Sequence, residues 1–247
     1  MFLVEEVRAI EEAIFASGVS EEELLERAGL ALAKEFVEEV PERGEVWVCF
    51  GSGHNGGDAL VAARYLREWG WRVELVGVCE RESWAPLTVA SYEKLGAPEV
   101  KTSLGGCDGR KVVVMDGLLG IGSRAGLSGE LAHLAGAMEV LRREGAWVVA
   151  VDLPSGMDGD TGETGGCAVV ADVTITMGTP KRGLVADGAE DFVGRLALAE
   201  LEGFPLGGEE WLVTGGRVRE LLGRRRYSQY KTQSGRVGIL AGSVEYP

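Results

Sequence analysis

Gly51-Ser52-Gly53-His54-Asn55-Gly56-Gly57-Asp58 is the stretch on which the fold turns. It follows the apolar run Val46–Phe50 and precedes the helical pattern Ala59–Trp69, so a strand runs through a glycine turn into a helix. Gly51-x-Gly53-x-x-Gly56 has the form of a dinucleotide-binding turn, in which backbone N–H groups and a helix N-terminus cradle a pyrophosphate. The next strand ends in apolar Val76-Gly77-Val78-Cys79, with Glu80 coming late, so the acid that usually holds a ribose is missing. No Gly-Lys-Ser/Thr follows the glycines, which excludes a Walker loop. Asn55 and Asp58 add an amide and an acid that a plain phosphate turn does not need. Two roles stay open for Asp58: contact with a ligand, or a cap on the following helix.

Outward from this motif, short apolar runs alternate with helical patterns, the signature of a mostly parallel sheet covered on both faces. The strands read Val46–Phe50, Arg72–Val78, Lys111–Met115, Trp147–Val151, Val173–Thr176 and Arg195–Ala199, with helices at Ala59–Trp69, Leu87–Leu95 and Glu130–Glu144. Upstream, Leu3, Val7, Ile10 and Ile14 mark one helix, and Leu24, Ala28, Leu32 and Phe36 mark a second behind a Ser20/Glu23 capping pattern. The class is α/β, a Rossmann-like three-layer α/β/α sandwich with two N-terminal covering helices. Residues 1–206 form this domain. After Gly207-Gly208, the run Gly235–Ser243 reads as the first strand of another.

The chain of 247 residues carries 39 acidic and 25 basic side chains, a net charge of −14. An acidic surface repels polyanions, so no nucleic-acid partner is expected. No stretch approaches the roughly 20 apolar residues of a membrane span, and the N-terminus lacks a basic region followed by an apolar run, so no membrane partner and a cytoplasmic location are expected. Cys49, Cys79, Cys107 and Cys167 lie far apart with no CxxC pair, which suggests neither a zinc site nor a disulfide framework. Glycine, 38 residues, is about double its usual share of roughly 7%. Such an excess points to tight turns, or to a backbone that closely approaches a ligand. The acidic residues of the first two helices, Glu11 among them, read as solvated cover.

Ligands of open parallel sheets bind beyond the carboxyl ends of the strands. Three polar loops follow such ends: the Gly51 loop, Asp116–Gly126, and Asp152-Leu153-Pro154-Ser155-Gly156. Arg124 either grips an anion there or is solvated. Asn55, Asp116 and Ser155 together offer an amide oxygen, a carboxylate and a hydroxyl, an all-oxygen set suited to a hard cation. Lys181 reaches the same edge or sits in a solvated Lys-Arg turn. Asp158–Gly162 lacks calcium-loop spacing and reads as a turn, and His133 reads as structural.

In order and spacing, Leu25–Gly29, Gly51–Arg64, Asp116–Gly122, Val151–Asp158 and Pro180-Lys181 resemble the NAD(P)H-hydrate epimerases, the YjeF N-terminal domain family. The resemblance runs to about Leu201. It implies that hydrated nicotinamide cofactor, NADHX or NADPHX, is the substrate, epimerised at its hydroxyl-bearing carbon so that a partner dehydratase can restore the cofactor. By the same resemblance, His54, Asn55, Gly56, Gly57 and Asp58, with Gly120, Ile121, Gly122, Ser123, Arg124, Ala125 and Gly126, hold this substrate. Asp152 binds near its reacting end, and Asn55, Asp116 and Ser155 coordinate a potassium ion. Asp152 is assigned the acid–base role and Lys181 stands beside it as second candidate. The family usually has asparagine where this chain has His54. Tyr230–Ser243 resembles the opening of the fused ATP- or ADP-dependent dehydratase, so residues 207–247 read as a linker and a truncated start with no expected dehydratase activity. Oligomeric state stays open, a homodimer included. The competing classes are an NAD(P)-dependent oxidoreductase using Gly51–Gly56 for a cofactor, and a non-catalytic nucleotide-binding protein.

Overall fold

Seven strands pair in parallel throughout, in the order β3-β2-β1-β4-β5-β6-β7. They are β1 Glu45–Phe50, β2 Arg72–Gly77, β3 Val100–Lys101, β4 Val112–Gly117, β5 Trp147–Val151, β6 Val173–Met177 and β7 Arg195–Ala199. The computed structural model describes residues 1–40, 44–107, 109–123 and 125–205. The expected second segment at 207–247 and Arg124 lie outside the described residues. The sheet is thus wholly parallel, and its two-residue edge strand β3 is an addition to the sequence reading.

The helices are α1 Val4–Ala16, α2 Glu21–Glu39, α3 His54–Glu68, α4 Pro86–Lys94, α5 Gly129–Arg143 and the short α6 Glu190–Val193. Alternate strand residues face opposite sides. Val46, Val48, Phe50, Met115, Val149, Val151 and Ile175 join residues of α1 to α4 in one apolar cluster. Trp47, Cys49, Val112, Val114, Val148 and Ala150 pack with Leu134, Met138 and Leu141 of α5 on the other side. Strands buried on both faces must be continuously apolar, which is why Val-rich runs betrayed them.

Local signals account for the ends. Ser20 Oγ accepts from the Glu23 amide at 3.1 Å, while the Glu23 carboxylate turns to Arg27 instead of closing the capping box. Gly70, Gly96 and Gly145 terminate α3, α4 and α5 with φ of 91°, 90° and 101°. Among the described residues no helix is long and apolar enough to cross a membrane.

The helix α3 starts at His54, five residues before the expected Ala59. Glycines cost helix propensity, yet here packing demands them. A Cβ on Gly56 would stand 2.1 Å from the Gly51 carbonyl oxygen, and one on Gly51 would stand 1.9 Å from that of Leu118. A Cβ on Gly29 would meet the Val61 side chain at 2.4 Å, so α3 packs directly on the bare backbone of α2 there. Much of the motif's glycine therefore serves contact within the protein rather than approach to a ligand. Gly53 is the exception, with nothing within 4 Å of its would-be Cβ.

Candidate active site

Strand order reverses direction between β1 and β4, where the β1–α3 turn and the β4 loop part. A cleft of about 560 Å³ opens at this switch point. Its wall takes Ser52, Gly53, His54, Asn55 and Asp58 from the first loop and α3, Leu118 to Ser123 from the β4 loop, and Asp152, Met177 and Lys181 from the β5 and β6 ends. The first amides of α3 have no intrahelical acceptor, which suits this end to an anion.

The floor holds a buried ion pair. Lys181, 2% exposed, donates through Nζ to Asp152 Oδ1 and to the Met177 carbonyl at 3.0 Å. The same Oδ1 accepts from the Met177 amide at 3.1 Å and from Thr176 Oγ1 at 3.3 Å. Asp152 adopts φ 68°, the left-handed region that aspartate tolerates better than most residues. It does so immediately after β5, where its amide still bonds the Ile175 carbonyl at 2.8 Å. A solvated Lys-Arg turn is excluded for Lys181, and Arg182 alone is exposed.

Beneath the cleft lies a second polar cluster. Asp116 is fully buried and sits inside β4, not after it. Its carboxylate accepts from Ser155 Oγ at 2.6 Å, the Ser155 amide at 2.8 Å and the Leu118 amide at 3.3 Å. Burial pushes its carboxyl up to about 6, against the pull of those bonds. Asn55 Nδ2 donates to the Leu119 carbonyl at 2.9 Å, and Ser155 Oγ also accepts from the Leu119 amide at 2.9 Å. Asn55, Asp116 and Ser155 thus form one network through Leu119. With Nδ2 engaged, the Asn55 amide oxygen is left to accept. Three neighbouring oxygen donors and a single carboxylate fit a hard cation of low charge in their chemistry.

Some expected substrate contacts fall elsewhere. Gly56 and Gly57 face the Gly51 backbone and Leu25, inside the α3 packing. Ala125 and Gly126 are drawn away from the cleft, because the Gly126 amide bonds the Gly156 carbonyl at 2.8 Å and both residues abut Gly165. Asp58 is no helix cap. It is the fifth residue of α3, whose N-cap is Gly53. Burial raises its carboxyl well above the usual range, the charges of Asp152 and Glu11 add to this, and Lys181 opposes it.

Helix α1 supplies cleft residues too, among them Glu11, which the sequence reads as solvated cover. Val7, Arg8, Glu11 and Phe15 line the cleft. The chain before α1 is stitched to the lysine loop, for the Phe2 amide bonds the Pro180 carbonyl at 3.0 Å and the Arg182 amide bonds the Phe2 carbonyl at 2.9 Å. Burial raises the Glu11 carboxyl, with Lys181 opposing and Asp152 adding. The exposed His133 on α5 is outside the cleft, as is the Asp158–Gly162 turn, where Asp158 caps its own backbone.

Fold and cleft together define a Rossmann-like α/β protein with an open cleft at the switch point. The chain belongs to the YjeF-related protein N-terminus family, whose model matches residues 21–183. It is 36% identical over 237 residues to the bifunctional NAD(P)H-hydrate repair enzyme Nnr of Hyperthermus butylicus, covering 93% of this chain and 43% of that protein. The Nnr of Coxiella burnetii is 34% identical over 255 residues, covering 96% of this chain and 49% of that protein. The chain therefore spans a little under half the length of these relatives. Among solved structures, yeast ynu0 shares the fold, with TM-score 0.61 at 21% identity over 73% of this chain and 81% of that one.

Proposed function

We propose that the chain epimerises hydrated nicotinamide cofactor, converting the R and S forms of NADHX or NADPHX into one another in the cytosol. The carrying observation is the buried Asp152–Lys181 pair on the floor of a cleft whose rim is an uncapped helix N-terminus. Membership of a family whose full-length relatives are named NAD(P)H-hydrate repair enzymes supports the same reading.

In this reading the dinucleotide is substrate. The free amides of α3 and the Gly120–Ser123 turn hold its phosphates, with His54 and Asn55 at the rim. The hydrated ring lies over Asp152. Inversion proceeds by loss of the hydroxyl, assisted by the ring nitrogen, and addition of water to the other face. Potassium would be held by Asn55, Asp116 and Ser155, where its charge would tie the β1, β4 and β5 loops together rather than polarise a bond strongly. The product epimer passes to an NAD(P)H-hydrate dehydratase. The oxidoreductase reading is weakened by the apolar end of β2, which carries no acid for a ribose.

Incubating the purified chain with one NADPHX epimer, and following the other by chromatography beside a hydride-transfer assay, tests this reading. Epimer exchange without cofactor reduction is expected. Hydride transfer without exchange would favour the oxidoreductase, and binding without either would mark a non-catalytic protein.

A further inference from the structure

Two buried aspartates face the cleft, and their surroundings differ in the one respect that matters for moving a proton. Asp152 Oδ1 receives three donors, one of them an ammonium. Such convergence ties the carboxyl into a buried ion pair and leaves that oxygen fully engaged. Asp58 is 8% exposed, lines the same cleft and accepts no hydrogen bond from any described residue. Burial with no donor to favour the charge raises its carboxyl well above the usual range, so it holds a proton more tightly than an exposed aspartate does. The charged groups acting on it are Asp152 and Lys181 from the strand ends and Glu11 from α1. Arg8 and His54 stand beside Glu11. One carboxyl locked in an ion pair under three donors and one without any donor share the site, an arrangement that divides charge-stabilising and acid roles between them.

We propose that Asp58, and not Asp152, is the proton carrier of the epimerisation, while the Asp152–Lys181 pair faces the positive charge that develops on the ring. The inference rests on the epimerase reading and deepens it. In the first half, the Asp58 carboxyl proton passes to the substrate hydroxyl and the carbon–oxygen bond breaks, its electron pair leaving with water. The ring-nitrogen lone pair forms a C=N bond, giving a planar cation opposite the Asp152 carboxylate, and Asp58 is left ionised. In the second half, a water oxygen pair forms the new bond on the other face and the C=N pair returns to nitrogen. The proton released passes through cleft water to Asp58. Nothing is oxidised or reduced.

The test compares wild type, Asp58→Asn and Asp58→Ala on a single NADPHX epimer. For Asp58→Asn a loss of about 100-fold or more in kcat is expected, the usual range for a missing proton carrier, with KM within about threefold. For Asp58→Ala, millimolar formic or acetic acid is expected to restore turnover in proportion to its concentration, an effect that a merely structural role would not produce. A folded Asp58→Asn keeping more than a tenth of kcat, or an Asp58→Ala indifferent to added acid, would overturn the assignment while leaving the epimerase reading intact. Wild type that exchanges no epimers would overturn both. If the variants fail to fold, carboxyl 13C NMR of wild type decides: one cleft aspartate still protonated at pH 7 upholds the assignment, and none overturns it.

Discussion

Asp58 and Asp152 face one cleft, yet one stands in the second turn of a helix without a donor and the other sits after a strand under three. The difference lies in which backbone each interrupts. Asp58 is the fifth residue of α3, and the free amides of the helix's first turn do not bond its carboxyl. Asp152 leaves β5 with φ 68°, and that twist brings its carboxyl against the free Met177 amide at the end of β6. Residue type alone says little about charge in such a site. The local run of the chain decides it.

The comparison can be broken from the Asp152 side with the largest effect. Asp152→Asn leaves Lys181 buried without its partner, an expected cost of about 3–5 kcal/mol in a denaturant titration. Activity is expected to fall at least as far as for Asp58→Asn. A stability change below about 1 kcal/mol would show that the pair is not the anchor of the floor.

Backbone crowding around α3 comes next. Gly56→Ala would drive a Cβ into the Gly51 carbonyl, with an expected loss of about 1–3 kcal/mol, whereas Gly53→Ala meets open space and should stay within about 1 kcal/mol of wild type. Equal losses would mean that the motif's glycines are not there for contact within the protein.

Asp58→Asn should move stability the other way. The folded chain holds the Asp58 proton more tightly than the unfolded chain, so wild-type stability falls as pH climbs from the ordinary carboxylate range toward the raised value. The amide removes that loss. Thermal melts should therefore show a gain that is absent near pH 3 and grows toward neutrality, to about 1–3 kcal/mol. A gain independent of pH would contradict a proton held in the fold. The smallest change is expected from His54→Asn, which restores the family's usual residue at an exposed position on the first turn of α3. KM should shift by about threefold or less, and a collapse of turnover would mean that His54 has taken over chemistry at the rim.

Most strands were legible because burial on both faces forces apolar runs, and β5 and β7 match the expected Trp147–Val151 and Arg195–Ala199. The edge strand β3 escaped because two residues carry no periodicity. The early start of α3 escaped because His54-Asn55-Gly56-Gly57 has poor intrinsic helicity and is held by its contacts with Gly51 and Leu119. Asp152, Ser155 and Asn55 could be found from their place after strands, and Asp116 from its place near the end of one. Glu11 and Arg8 could not, since an acidic amphipathic helix looks solvated until Phe2 is seen to tie it to the lysine loop.

Epimer exchange by the purified wild-type chain is the most direct measurement. Starting from one NADPHX epimer, the other should appear well above the protein-free rate and reach a constant ratio, with the same ratio reached from the opposite epimer. A rate equal to that of the protein-free control, from a folded chain supplied with potassium, would contradict the epimerase reading of the cleft.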